Sequence, residues 1–215
     1  MSVFMLSDEN IVFPDPSMAE PDGLLAVGGD LRVDRLLMAY RHSIFPWYNK
    51  DNPILWWSPS ERFVIKPKDI HVSHSMQKFF KKHDVRMEIN RDFADTIHTC
   101  RMIHHSEGEW ITDEMEQAYV ELHRAGYAAG VEAFFDGELA GGLYGVVIGK
   151  CFFGESMFTL KENGSKAALI MLAKHLEEEN FVVIDCQFHT DHLESMGGIT
   201  VSRADYLKLL EQGIN

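Results

Sequence analysis

The chain has only three cysteines, Cys100, Cys151 and Cys186, far apart and in no CxxC arrangement. An odd number of isolated thiols argues against a disulfide framework and for a reducing compartment. Basic side chains are scarce too: 20 Lys and Arg stand against 33 Asp and Glu, for a formal net charge of −13. Phosphate binding draws mostly on Lys and Arg releasing counterions, so general affinity for nucleic acid is excluded and any such contact has to be local. No apolar run reaches the roughly 18 residues that cross a bilayer. The opening MSVFMLSDENIVFPDP lacks the basic region, long apolar core and cleavage site of a secretory signal. The expectation is a cytoplasmic protein with no membrane partner. No HExxH or similar ligand set accompanies the eleven histidines, although HTDH (His189, Asp191, His192) and the pair His104, His105 raise a metallohydrolase. Exposed loop histidines are the plainer reading, and no metal is expected.

What is present is ample apolar material. At 46% apolar, 215 residues can bury a sizeable core in one large domain or two small ones. The first 60 residues are dense in turn signals (FPDP, EPDG, VGGD, IFPWYNKDNP, WWSPS) and read as loops and short helices wrapped around something larger. Within them RVDRLLMAYRHS reads as a helix with Leu36, Leu37 and Tyr40 inward. A strand RFVIKP follows, then the helix HSMQKFFKKH, with Met76, Phe79 and Phe80 as an apolar stripe and Lys78, Lys81 and Lys82 projecting outward. A solvated face is the default reading of three such lysines. Next come a strand VRMEIN, a helix from about Asp92 to His104, and a helix over 113–125 capped by Thr112 or Asp113.

From Val131 the period changes to two. VEAFF, LAGGLYGVVIG and CFFGESMF read as an antiparallel meander joined by tight turns. The helix SKAALIMLAKHLEEEN, with Ser165 as cap, and the near-continuous strand FVVIDCQF complete a strand, crossover helix and strand unit. A short strand GITVS and a terminal helix RADYLKLLEQ close the chain. The expected fold is mixed α+β, divided into a loop-rich N-terminal domain over 1–62 and a C-terminal domain over 63–215.

One carboxylate, Glu155, stands in the apolar strand CFFGESMF, where a bare charge is costly. A right-handed crossover opens the C-terminal ends of its two strands onto one edge. That places Glu155 near Asp185 and Gln187, which share a face if the second strand stays extended, with Cys186 on the other. Strand alternation therefore also disfavours a thiol enzyme built on Cys186 and His189. Phe152, Met157, Leu169, Leu172 and Ile184, with Leu143, would line the opening. An apolar hole with convergent polar groups is what a catalytic or small-ligand site looks like. The alternative is a pair of acids that cap strand ends in water.

The segments FPWY, ILWWSP, EGEWIT, GGLYGV, FFGESMF and VIDCQF…HLESMGG, in this order and approximate spacing, resemble the leucyl/phenylalanyl-tRNA–protein transferase family over essentially the whole chain. The resemblance implies a small N-terminal domain and a C-terminal acetyltransferase-like (GNAT-like) domain with a mixed sheet. It also implies transfer of leucine or phenylalanine from leucyl-tRNA or phenylalanyl-tRNA to proteins beginning with Arg or Lys, creating an N-terminal degradation signal. An aminoacyl ester is already activated, so aminolysis is downhill and needs neither ATP nor a cofactor.

The attacking α-amine, of pKa about 7.7–8.0, must be neutral. By the same resemblance Asp185, hydrogen-bonded to Gln187, is the expected proton acceptor, and Glu155 orients the amine or the acceptor's first residue. The apolar lining is expected to hold the leucine or phenylalanine side chain. Trp47 and Trp110 match family positions near the terminal adenosine, while Trp56 and Trp57 are read as structural. The lysine helix corresponds to the family's basic patch for the acceptor stem, only partly preserved here, with His74 and Gln77 where more basic residues are expected. Two rivals remain: a non-catalytic reader of basic N-termini, and an acyl-CoA N-acetyltransferase. The latter needs a glycine-rich turn to cradle pyrophosphate, and TLKENGSKAA offers the single glycine Gly164.

Overall fold

The computed structural model describes residues 3–104 and 110–214. The expectation of loops around a larger body fails in the first 60 residues, which build a sheet of their own. Its strands are β1 (Phe4–Leu6), β2 (Leu24–Gly28), β3 (Phe45–Pro46) and β4 (Leu55–Trp57), in the order β1-β2-β4-β3. Strands of two to five residues show no alternation strong enough to stand out among Pro and Gly turn signals. Two large polar side chains fix this unit. Trp56 is buried and donates its indole N–H to the Gly28 carbonyl at 2.8 Å. Arg35, on α1 (Val33–Arg41), is also buried, against Asp30 and the carbonyl of Ser7.

The second sheet has β5 (Glu61–Ile65), β6 (Val85–Ile89), β7 (Ala128–Phe135), β8 (Glu138–Ile148), β9 (Cys151–Thr159), β10 (Val183–Asp185) and β11 (Ile199–Ser202). Their order is β11-β5-β10-β9-β8-β7-β6. The strands from β7 to β9 form the expected antiparallel meander, and β6 pairs antiparallel with β7 at its edge. Asp136 (φ 52°) and Gly137 (φ 89°) make its first turn, the left-handed pair that matches the twist of a tight hairpin. β9 and β10 run parallel, and β5 pairs antiparallel with both β10 and β11, so the division expected after residue 62 falls inside β5. The result is a mixed α+β architecture with a small four-stranded N-terminal sheet and a larger seven-stranded one.

Helices cover both faces of the larger sheet. α5 (Gly164–Glu178) lies on one, packing Leu169 and Leu172 with Leu143, Phe152 and Ile184, and α2 (His74–Lys82) adds Met76 to that core. α3 (Phe93–His104), α4 (Asp113–Arg124) and α7 (Arg203–Ile214) contribute to the other core, which is continuous with α1 and the first sheet. Burying each such large apolar side chain is worth roughly 1.5–3 kcal/mol. Among the described residues no helix is long and apolar enough to cross a membrane.

Two local expectations are corrected. α5 is not capped by Ser165: Asn163, in a left-handed conformation (φ 70°), occupies that place, and the Ser165 hydroxyl accepts instead from Thr159 at 2.7 Å. The lone Gly164 is explained by packing, since a Cβ there would lie 1.9 Å from the Ala140 carbonyl oxygen of β8. The strand FVVIDCQF shrinks to Val183–Asp185, because Gln187 turns the chain at φ 55° into a short helix α6 (Asp191–Ser195) that the sequence pattern does not announce.

Candidate active site

The parallel pairing of β9 and β10 sets Ile184 beside Phe152 and Asp185 beside Phe153. Alternation then sends Ile184 and Phe152 toward α5, and Asp185 and Phe153 toward the opposite face. On the α5 side, where the two strands part, is a cavity of about 300 Å³. Leu143, Phe152, Met157, Leu169 and Ile184 line it as expected; Leu172 does not, and lies buried in the core beneath. Glu155 and Gln187 supply polar wall, while Trp110, His104 and the α6 region with Thr190, His192 and Leu193 complete it.

Glu155 is neither bare nor simply solvated. It is partly buried, and three side chains reach its carboxylate: Tyr40 Oη to Oε1 at 2.7 Å, Tyr119 Oη to Oε2 at 3.0 Å, and Gln187 Nε2 to Oε1 at 3.4 Å. The two tyrosine hydroxyls also touch each other. Burial raises the Glu155 pKa to about 7, against the two tyrosine hydrogen bonds that pull it down; the Asp185 charge adds to the rise and that of Arg62 opposes it. Burial and the Glu155 charge push both tyrosines well above their ordinary range, so they serve as donors. Two hydroxyl protons serve three oxygen–oxygen contacts in this triangle. A proton on Glu155 completes the set, which suits a carboxyl that titrates near neutrality.

Asp185 sits behind this wall. It is fully buried and saturated: Arg62 Nε donates to Oδ1 at 3.0 Å, Arg62 Nη2 and Tyr206 Oη donate to Oδ2 at 2.9 and 2.7 Å, and the Gln187 backbone N–H donates to Oδ1 at 2.9 Å. Burial alone would lower the Arg62 pKa, but the neighbouring Asp185 charge overrides it and raises the guanidinium further. Arg62 also stacks between Phe45 and Tyr206 at 4.4 and 4.8 Å. The expected side-chain bond between Asp185 and Gln187 is therefore replaced by a backbone one. The left-handed turn at Gln187 takes its side chain off the Asp185 face and onto Glu155. Cys186, expected to face away from the acids, does oppose Asp185, but the cavity is on the Cys186 side.

Trp110 borders both the cavity and a smaller recess of about 210 Å³ that it shares with Trp47, Tyr48 and Trp57. Trp47 is 44% exposed and packs on Trp57 and Phe188, and its carbonyl accepts the Trp57 indole N–H at 2.6 Å. Trp56 is structural as expected; Trp57 is partly so, since it also walls this recess. Lys78, Lys81 and Lys82 are exposed along α2. His189, Asp191 and Glu194 come together on the surface, His192 turns into the cavity wall instead, and His105 lies outside the described residues. Sequence reading missed Tyr40, Tyr119, Arg62 and Tyr206. Arg62 carried the same signal as Glu155, a charge in an apolar strand.

Against this geometry, the sequence model of the family described as leucyl/phenylalanyl-tRNA protein transferase matches residues 64–211, and that of its N-terminal domain matches residues 29–60. The leucyl/phenylalanyl-tRNA–protein transferase of Desulfatibacillum aliphaticivorans is 50% identical over 214 residues, 99% of this chain and 91% of that protein. That of Pseudomonas fluorescens (strain Pf0-1) is 48% identical over 208 residues, 94% of this chain and 92% of that protein. Among solved structures, that of L-PGS from Bacillus licheniformis aligns with 89% of this chain and 71% of its own at 9% identity, with a TM-score of 0.46.

Proposed function

This chain belongs to the leucyl/phenylalanyl-tRNA protein transferase family, and from that premise we propose that it moves leucine or phenylalanine from aminoacyl-tRNA to the N-terminal Arg or Lys of acceptor proteins, marking them for degradation. The observation that carries this reading is the cavity itself: five apolar side chains form a socket of amino-acid size, and Glu155 and Gln187 stand at its polar wall. Leucine or phenylalanine fits such a socket. Discrimination by apolar contact is limited to roughly 1–3 kcal/mol per methylene, so the socket's shape must reject β-branched residues. The adjoining recess between Trp47 and Trp110 suits the terminal adenosine, where stacking contributes about 1–3 kcal/mol per base. Lys78, Lys81 and Lys82 offer the acceptor stem a local basic surface on a chain whose net charge of −13 otherwise favours basic N-termini. Three free thiols agree with a cytoplasmic setting.

In the reaction the acceptor's α-nitrogen attacks the ester carbonyl, a C–N bond forms, the bond to the ribose oxygen breaks, and one proton passes from nitrogen to that oxygen. Glu155 is the better placed group to carry it. It borders the cavity, and a pKa of about 7 lets it take a proton from an attacking amine and return it to the leaving oxygen. Asp185 serves at one remove: its Oδ1 fixes the Gln187 backbone, whose side chain in turn steadies Glu155.

Labelled leucyl-tRNA with an Arg-initiated peptide tests the reading. Label appearing at the peptide N-terminus supports it. Stable peptide binding without transfer overturns it in favour of a reader of basic N-termini, and transfer from an acyl-CoA instead overturns it in favour of an acetyltransferase.

A further inference from the structure

The polar groups on the cavity wall are mostly engaged within the protein. Glu155 accepts from Tyr40 and Tyr119, and Gln187 donates to Glu155. His104 Nε2 meets the Met157 carbonyl at 2.8 Å, and the Thr190 hydroxyl accepts from the Leu193 N–H at 3.2 Å. Two groups differ: the Tyr144 hydroxyl and the His192 Nε2 are both buried with no hydrogen-bond partner among the described residues, and both residues line the cavity, Tyr144 from β8 and His192 from α6 beside Leu193. A buried unmatched nitrogen costs about 1–3 kcal/mol, and a ligand that meets it removes that cost.

We propose that His192 is a donor-binding residue, its Nε2 forming a hydrogen bond with the polar end of the aminoacyl ester seated in this cavity, at the α-amine or at a ribose hydroxyl. The inference rests on the transferase reading above and assigns a role to a histidine that the sequence pattern left as an exposed loop residue. Burial and the nearby Lys166 charge lower its pKa below the ordinary value, so the ring on the cavity wall is neutral, able to accept at one nitrogen and donate at the other. A charged imidazolium would repel the donor's α-ammonium; a neutral one does not.

The test compares wild type with His192→Leu and His192→Gln in transfer from leucyl-tRNA and in thermal unfolding of the free protein. His192→Leu is expected to raise KM for leucyl-tRNA about tenfold, the loss of roughly 1.4 kcal/mol of binding, with kcat and the KM for acceptor peptide within about twofold. His192→Gln should recover part of the loss. The midpoint of unfolding of His192→Leu should stay level or rise, because hydrocarbon replaces an unmatched polar atom. Competition by non-reactive 3′-leucylamino-3′-deoxyadenosine and its 2′-deoxy form separates the two contacts. If His192 meets the 2′-hydroxyl, the leucine variant no longer distinguishes the competitors; if it meets the α-amine, both weaken equally. An unchanged KM, or a fall in unfolding midpoint that accounts for lost activity, overturns the proposal. Wild type that transfers nothing overturns the transferase reading itself, and this inference with it.

Discussion

Arg62 and Asp185 form a bidentate ion pair with both side chains buried, Nε to Oδ1 at 3.0 Å and Nη2 to Oδ2 at 2.9 Å. Breaking such a pair from one side strands the other charge, at a cost of about 3–5 kcal/mol, whereas replacing both by apolar groups is often neutral. Asp185→Asn should therefore lose stability on that order in chemical denaturation, and Arg62→Met combined with Asp185→Leu should recover most of it. If Asp185→Asn instead unfolds like wild type and transfers leucine at the normal rate, neither the worth of the buried pair nor the positioning of Gln187 and Glu155 by Asp185 stands.

The proton role proposed for Glu155 should make transfer pH-dependent. Its carboxyl is raised from 4.5 to about 7, so the ionised, proton-accepting form grows in as pH rises through neutrality. Tyr119 donates a hydrogen bond that holds this pKa down. Tyr119→Phe should then move the rising limb of kcat/KM to higher pH, and Glu155→Gln should abolish that limb. For stability the sign is opposite. A carboxyl with a raised folded pKa contributes stability that is fully present below 4.5 and is lost as pH climbs through about 7, so the wild type should unfold more easily at pH 8 than at pH 5 relative to Glu155→Gln. A limb that stays in place in both variants assigns it to the acceptor amine instead.

Much of this site was legible because its signals are local. Helical spacing in SKAALIMLAKHLEEEN presents Leu169 to the sheet, and the crossover brings Ile184 beside Phe152; strict alternation in CFFGESMF would separate Phe152 from Met157, and it is the bulge at Glu155, with Tyr144 opposite Ser156 and Gly145 opposite Gly154, that brings both to one wall. What escaped depends on a single φ or on distant partners. Gln187 at φ 55° ends β10 early, so Asp185 and Gln187 share no face, and nothing in VIDCQF marks that turn. Arg62, Tyr40, Tyr119 and Tyr206 come from β5, α1, α4 and α7, and their meeting with the two acids is tertiary. Leu172 was misassigned because helical period selects a face and not the depth at which the cavity ends.

Leu169 and Leu172 sit three residues apart on α5 with different surroundings: Leu169 borders the cavity, and Leu172 is enclosed by core. Leu172→Ala should cost about 2–5 kcal/mol by leaving a void among packed neighbours. Leu169→Ala removes wall from a space already empty on one side, so its loss of stability should be smaller. Its effect should appear in selectivity, with the enlarged socket raising kcat/KM for phenylalanyl-tRNA relative to leucyl-tRNA by about fivefold or more. Equal unfolding costs and an unchanged ratio would show that this cavity does not hold the amino-acid side chain.

The three lysines of α2 are the remaining place where sequence and charge disagree. Met76 anchors the helix in the core, while Lys78, Lys81 and Lys82 are exposed and make no ion pair among the described residues. On a chain of net charge −13 they can serve RNA only as a local patch. Each phosphate they neutralise adds about 0.7–0.9 to the magnitude of the slope of log K against log salt. Changing all three to Glu should weaken leucyl-tRNA binding and flatten that slope by about 2–3, since every lost contact also removes a released counterion. A minimal donor separates this effect from damage to the active site. Leucyl-adenosine lacks the acceptor stem, so wild type and the triple variant should use it equally well. An unchanged salt slope with tRNA would make α2 a solvated face, and equal losses with both donors would trace the defect to the cavity.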